Sequence, residues 1–347
     1  MARAAQEYDV TFIEEPETGA AEGLREYLSR EGVRVLTPVL PPGLTPAGRI
    51  RAQRRLLAPV LAPAEHALAW CYTPMAVEIA DLSRFGALVY DCMDELRNFK
   101  GAPERLAACE EALFREADVV FAGGRSLFEA KRRQHPRVRL FPSSVDAAHF
   151  RRARDPATVE PADQAQLPRP RIGYSGVIDE RMDLELLAGA ARLRPHWSFV
   201  MLGPVAKIEE QALPRAANIH WLGMKDYADL PRYFSGWDAG FINFALNEAT
   251  RFISPTKTPE YLAAGLPVVA TPVADVVADF GALGLVQIVA NAEEAVAALE
   301  RFWQEPRAPW LSRVDAFLGA HSWARTWSAM RAELAQIAPR SAAAVAG

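Results

Sequence analysis

Cysteine is scarce in this chain: Cys71, Cys92 and Cys109 are the only three in 347 residues. No Cys-x-x-Cys pair and no neighbouring histidine pair accompanies them. Neither a zinc site nor a disulfide framework is expected, and a reducing compartment follows. The six histidines are scattered singly, so none is singled out as a catalytic base. No run of apolar residues reaches the length of a membrane span, and the opening MARAAQEYDV lacks the apolar centre of a signal peptide. A cytoplasmic protein is expected, at most peripheral to the inner face of the membrane. Charge of one sign is missing too. With 39 Lys and Arg against 43 Asp and Glu, net charge is −4, so no global basic field exists to hold nucleic acid. Base-stacking motifs are also absent, and nucleic acid is not an expected partner. Two local basic clusters remain, RIRAQRRLL (Arg49 to Leu57) and KRRQHPRVR (Lys131 to Arg139). Each reads as a solvated helix face or as a surface for anionic lipid or an anionic acceptor.

What the chain does have is alternation. Half of its residues are hydrophobic and 24% charged, ordinary for an α/β protein with real cores. Short β-branched runs (VTFI, VRVL, ALAWCY, ALVYD, DVVFA, VRLF, then RIGYS, SFVML, NIHWL, DAGFIN, PVVAT, LVQIV) alternate with helical segments such as PERLAACEEALFREA and DLELLAGAARL. Strand, helix, strand at this spacing implies parallel sheets with crossover helices. These strands are too many for one comfortable open sheet, so the expected fold is α/β with two Rossmann-like, doubly wound domains facing a cleft. The first is expected over residues 1–150 and the second over 171–320. The stretch 151–170, with prolines at 156, 161, 168 and 170, reads as a linker. Ligands of open α/β sheets bind at the carboxyl ends of the strands, which locates the site.

The stretch RFISPTKTPEYLAAGLPVVATP, Arg251 to Pro272, carries the chemistry. Thr258-Pro259-Glu260 has the form of a helix start, with Thr258 as N-cap; Ser254-Pro255 offers an earlier start of the same type. Gly265 and Pro267 end the helix. Lys257 at that positive end is unfavourable unless an anion joins it, and amides plus an ammonium group make a phosphate site. Glu260 would repel phosphate unless it turns aside to accept hydrogen bonds from neutral hydroxyls, such as those of a ribose. The competing reading is an exposed lysine and a merely capping glutamate. In GYSGVIDER, Gly173 and Gly176 follow a strand where phosphate could approach the backbone. Arg181 either adds a second positive charge or is a surface arginine beside Asp179, Glu180 and Asp183. No DxD pair marks a metal site. Arginine, lysine and amides would then neutralise a bound diphosphate, and no metal and no cofactor are expected.

RIGYSGVIDERMDLELL, NIHWLGMKDYADLPRYFSGWDAGFIN and SPTKTPEYLAAGLPVVATP, in this order, resemble the nucleotide-binding half of GT-B glycosyltransferases, group 1 (family 4). LFPSSVDAAHF resembles that family's interdomain connection, and HSWARTWSAM resembles its closing helix, expected over 321–338. The resemblance implies transfer of a sugar from a nucleotide diphosphate to a hydroxyl acceptor, on a glycan or lipid-linked, with retention of configuration. It implies that Glu260 holds the ribose hydroxyls and Arg181 neutralises the diphosphate, with Lys257 and the amides after Ser254 and Thr256. Gly176 falls at the phosphate-side loop, and Gly203 and Gly223-Met224-Lys225 at the nucleobase; Thr258 caps the helix on the donor side. Three departures stand out. Phe252 replaces the family's second carboxylate, with Glu248 the nearest acid; Val177 replaces the arginine after the loop glycine. The strand YDVTFIEEPE is similar to the second strand of such a domain, so the usual opening strand and its Gly-rich loop are expected to be missing. The acceptor side is expected at Tyr72-Thr73, Asp91 to Glu95 and Gly123-Gly124. There Asp94 or Glu95 orients an acceptor hydroxyl or caps a helix, and the glycine pair is equally a turn. A non-catalytic nucleotide-sugar binder or degenerate partner subunit is the alternative of another class; a sugar-nucleotide epimerase on the same fold is a further one.

Overall fold

Parallel strands need long return connections, and in the computed structural model, which describes residues 1–62 and 66–337, helices supply most of them. The first half contains β1 (Thr11–Ile13), β2 (Glu17–Thr18), β3 (Gly23–Leu28), β4 (Arg34–Leu40), β5 (Leu68–Cys71), β6 (Ala87–Cys92), β7 (Val119–Ala122) and β8 (Val138–Leu140). They form two sheets rather than one. Strands β5, β6, β7 and β8 are parallel and lie in chain order. β4 pairs in parallel with β1 and β2 but antiparallel with β3. That antiparallel pair departs from the expected all-parallel half, and β2 and β3 were not among the expected strands. The reason is local: β3 reads Gly-Leu-Arg-Glu-Tyr-Leu and is largely exposed. Its charges are matched by Arg25–Glu17 at 2.5 Å and Arg34–Glu26 at 2.7 Å rather than by burial.

The second half is one parallel sheet of β9 (Arg171–Ser175), β10 (Ser198–Leu202), β11 (Ile219–Gly223), β12 (Ala239–Ile242), β13 (Val268–Ala270) and β14 (Gln287–Ile288), ordered β11-β10-β9-β12-β13-β14. β9, β10 and β12 are buried throughout, as continuous apolar strands covered on both faces must be. Strand order reverses between β9 and β12, the switch point at which a crevice opens outside the carboxyl ends.

Two glycines set the packing at that point. A Cβ on Gly173 would lie 2.0 Å from the Trp237 ring, and one on Gly240 2.5 Å from the Tyr261 ring. Both aromatics lie against the sheet, with ring centres 5.8 Å apart. Gly173→Ala is expected to overpack this core and lower stability by about 1–3 kcal/mol, read as a reduced urea midpoint with an unchanged slope. Residues 151–170 are tied down to this core: Gln164 is fully buried, accepts from Trp237 Nε1 at 2.8 Å and donates to the Tyr233 carbonyl at 2.9 Å.

The helix Trp323–Leu334 returns to the first sheet system. Met330 packs with Val89, Val119 and Phe121, and Trp327 lies against Trp70 with ring centres 6.4 Å apart. Ala338 and the Ala-rich tail lie outside the described residues. Arg137 and Arg139 pair with Glu333 of this helix at 3.7 and 2.9 Å, and Lys131 is fully buried between acids. The second basic cluster is therefore partly a packing seam, with Arg132 and Arg133 exposed. All three cysteines are buried and free. Among the described residues no helix is long and apolar enough to cross a membrane.

Candidate functional site

After β9 the chain turns through Gly176, at φ 151°, and after β10 through Gly203, at φ 140°. Neither conformation suits a side chain, and neither position has room for one. A Cβ on Gly203 would collide with the Gly176 carbonyl oxygen. A Cβ on Gly176 would lie 2.1 Å from Lys257 Cε and 2.9 Å from its Nζ. The two bare turns let the Lys257 ammonium settle at the mouth of β9. Lys257 opens the helix Lys257–Ala263, with Thr256 at the N-cap position and no side-chain cap. The start at Thr258 is thus corrected by two residues. Thr258 lies inside the helix, fully buried, its hydroxyl without a hydrogen-bond partner among the described residues. Thr256 is exposed and Ser254 half-buried.

Charge converges here from both halves. Arg181 is gripped by Asp179 on one edge, Nε to Oδ1 at 2.9 Å and Nη2 to Oδ2 at 2.7 Å. Burial opposes its charge, but the bonds to Asp179 outweigh that and raise its pKa above the ordinary value. The pairing with Asp179 fixes the orientation of the guanidinium and leaves it about a quarter exposed, 26%. Lys257 is shifted down, first by burial and further by Arg181; Glu260, Asp179 and Asp94 pull the other way. Among the described residues no hydrogen bond or ion pair reaches its ammonium. Glu260, one turn along the same helix, is pushed up to about 7 by burial, moderated by Lys257. Asp94, beyond the end of β6 in the first half, is pushed up to about 6 by burial and held down by Arg181 and Lys257. Lys257 therefore lies within electrostatic reach of Arg181, Glu260 and Asp94, and Asp94 comes from the first half.

The other first-half residues divide. Tyr72 is 38% exposed and Thr73 accepts a hydrogen bond from the Met75 amide at 3.3 Å in the turn after β5. Asp91 is not at the surface of the cleft: it is buried, accepts from Trp70 Nε1 at 2.9 Å and is raised to about 6 by burial. Glu95, the alternative to Asp94, points inward to the buried Lys131 at 2.9 Å and leaves Asp94 as the acid of the pair in the cleft. Gly123 is packed against the Met93 backbone, 2.9 Å from where its Cβ would be. Gly124 makes a contact between the two halves. Its Cβ would lie 2.3 Å from Asp275 and 2.9 Å from Ser254, both of the second half, and Asp275 accepts from the Ser126 amide at 2.8 Å. Phe252, where the resemblance leads one to look for a carboxylate, packs on the first-half core. Glu248 is 74% exposed and pairs outward with Arg251.

On the side of β11, Gly223 turns at φ 70° and Met224 is 75% exposed beside it. Lys225 is drawn off to Asp163 at 2.8 Å. Sequence reasoning missed Tyr227. Its ring stacks on His149 with centres 4.6 Å apart, and its hydroxyl is pushed up to about 12 by burial and by the charges of Glu260 and Asp146. Asp179, two residues before Arg181, was legible as a short acid–base spacing; Tyr227 and Asp275 carried no such signal. Among the described residues no group of three or more His, Cys, Asp or Glu side chains is arranged to hold a metal ion.

Residues 169–305 match the family model described as Glycosyl transferases group 1. The teichuronic acid biosynthesis glycosyltransferase TuaH of Bacillus subtilis (strain 168) is 33% identical over 103 residues, which is 29% of this chain and 26% of that protein. The matched stretch thus spans about a quarter of that curated relative. Sucrose-phosphate synthase from Thermosynechococcus elongatus aligns with a TM-score of 0.71 at 17% identity, covering 96% of this chain and 90% of its own. A UDP-forming trehalose-phosphate synthase from Burkholderia xenovorans gives 0.72 at 14% identity, covering 97% and 96%. An E. coli trehalose-6-phosphate structure bound with UDP-2-fluoro glucose gives 0.71 at 14%, covering 97% and 95%. At these identities the likeness establishes the fold, the two Rossmann-like domains of GT-B.

Proposed function

We propose, from the match of residues 169–305 to the group 1 glycosyltransferase model and from the GT-B fold, that this chain transfers a sugar from a nucleoside diphosphate to an acceptor hydroxyl. One observation carries the reading: the half-buried Lys257 ammonium stands against Gly176 and feels the charge of Arg181, with no hydrogen bond or ion pair among the described residues. An ammonium group in that state is stabilised by any anion that reaches it, and a diphosphate spans the distance between two cations.

In the reaction the bond from the anomeric carbon to the diphosphate oxygen breaks and its electron pair leaves with the diphosphate. The acceptor oxygen bonds to the anomeric carbon, and its proton is released. Negative charge grows on the leaving group as the bond stretches, so Lys257 and Arg181 act where the transition state is most demanding, and the bare Gly176 turn leaves room for the phosphate beside them. Glu260 accepts hydrogen bonds from the ribose hydroxyls, with Tyr227 and the Gly223–Met224 turn bordering the nucleoside. Asp94 receives the acceptor hydroxyl from the opposite wall. Retention of configuration and a glycan or lipid-linked acceptor follow the family resemblance, and uridine is the first base to test because two structural neighbours carry UDP in their descriptions. The lysine and arginine do in this mechanism what a divalent ion does elsewhere.

Calorimetry with UDP and GDP, paired with a donor-consumption assay, tests the proposal. Binding of one nucleotide with consumption of its sugar conjugate is the expected result. Binding without consumption in the presence of hydroxyl acceptors favours a nucleotide-sugar binder, and absence of binding to either nucleotide removes the site assignment.

A further inference from the structure

Phe99 belongs to the first half, yet its ring lies between two cations of the second. The Arg181 guanidinium carbon is 5.4 Å from the ring centre and the Lys207 ammonium 5.2 Å. The flanking residues fasten the same segment across the cleft. Asn98 Nδ2 donates to the Glu248 carbonyl at 3.0 Å, the Lys100 amide donates to Glu180 at 3.3 Å, and Lys100 Nζ donates to the Lys207 carbonyl at 2.9 Å. Lys207 receives this contact in a left-handed conformation, φ 61°, which no other non-glycine residue among the described ones adopts. Phe99 itself packs half-buried against the core of the second half.

We propose that Phe99 is a positioning residue for Arg181: it holds the guanidinium toward the diphosphate and makes that placement depend on the first domain being docked. This rests on the donor-site reading above. Asp179 fixes one edge of the guanidinium but also offsets its charge. An aromatic face orients a cation without neutralising it, so the positive charge stays available to an incoming anion. Phe99 comes from the acceptor-side wall, so leaving-group stabilisation is complete only when both walls of the cleft are together. Donor activation is in this way linked to the presence of the acceptor-bearing domain.

The test uses the full chain with Phe99→Ala, Phe99→Leu and Phe99→Trp. Leu keeps apolar volume without the aromatic face; Trp keeps the face. The first readout needs no nucleotide: the rate at which phenylglyoxal modifies Arg181, followed by peptide mass. Ala and Leu should raise that rate about two- to fivefold and Trp should restore it, the range set by a cation–π contact at a partly exposed site. The second is turnover, in which Ala and Leu should lower kcat by about the same factor with donor KM little changed. An Arg181 rate in the Leu variant equal to that of the wild type overturns the proposal, as does a Trp variant that behaves like Ala. A wild-type chain that binds neither UDP nor GDP sinks the transferase reading instead, while the labelling comparison still decides whether Phe99 holds Arg181.

Discussion

Lys257→Ala is expected to slow sugar transfer about a hundredfold, with thermal stability unchanged or slightly raised. The two halves of that expectation come from one cause. The half-buried ammonium sits beside Gly176 with no ion pair of its own among the described residues, and burial shifts its pKa down. A desolvated charge without a partner costs the folded state free energy, so its removal relieves the empty protein. Once a diphosphate is leaving, the same charge stabilises what is forming. Loss of one such donor in a dry site typically costs about 3 kcal/mol, which is the hundredfold. Arg181→Ala should show a different balance, since buried Asp179 would keep only the backbone amide of residue 181 and lose the guanidinium, costing stability as well as rate. Single-turnover rates and melting temperatures on the same preparations check both. Turnover of Lys257→Ala within a few-fold of wild type would remove this lysine from the leaving-group site.

The second half was legible because its physics is local. β9, β10, β12 and β13 are short apolar runs buried on both faces, and a run of that kind between glycines and prolines has few other folds open to it. Lys257 and Glu260 could be singled out for the same reason: a lysine at the positive end of a short helix is unfavourable by rules that need no tertiary information. The first half resisted. β3 is an exposed ribbon stabilised by cross-strand ion pairs, whose pattern resembles neither a buried strand nor an amphipathic helix. The roles of Phe99, Tyr227 and Asp275 are set by partners far away in the sequence: Phe99 lies against Arg181, Tyr227 feels Glu260, and Asp275 receives the Ser126 amide. Asp91 and Glu95 show the converse error. Their spacing at a strand end suggested the cleft, but one turns to Trp70 and the other to Lys131, leaving Asp94 between them to face the opposite wall.

Glu260 gives the remaining large effect, and its sign can be worked out. Burial raises its pKa from 4.5 to about 7. The folded state therefore holds a proton that the unfolded chain has given up. This contribution to stability is fully present below pH 4.5 and is lost as pH rises through 7. In the absence of nucleotide the protein should become less stable across that window, and Glu260→Gln should flatten the change. Nucleotide reverses the preference, because ribose hydroxyls donate to the carboxylate and favour its charged form. Binding near pH 7 should then release protons, up to about half per site by the distance of pH from pKa, and the release should disappear by about pH 9. Calorimetry of UDP or GDP binding in buffers of different ionisation enthalpy measures this directly. In Glu260→Gln that release should vanish and affinity should fall about ten- to a hundredfold, the range for a hydrogen bond to a charged acceptor. The contrast between wild type and Gln isolates Glu260 from Asp94, whose titration near 6 responds in the opposite direction when an anion arrives. Equal proton release in the two proteins, or undiminished affinity in the variant, would mean that the ribose is held elsewhere.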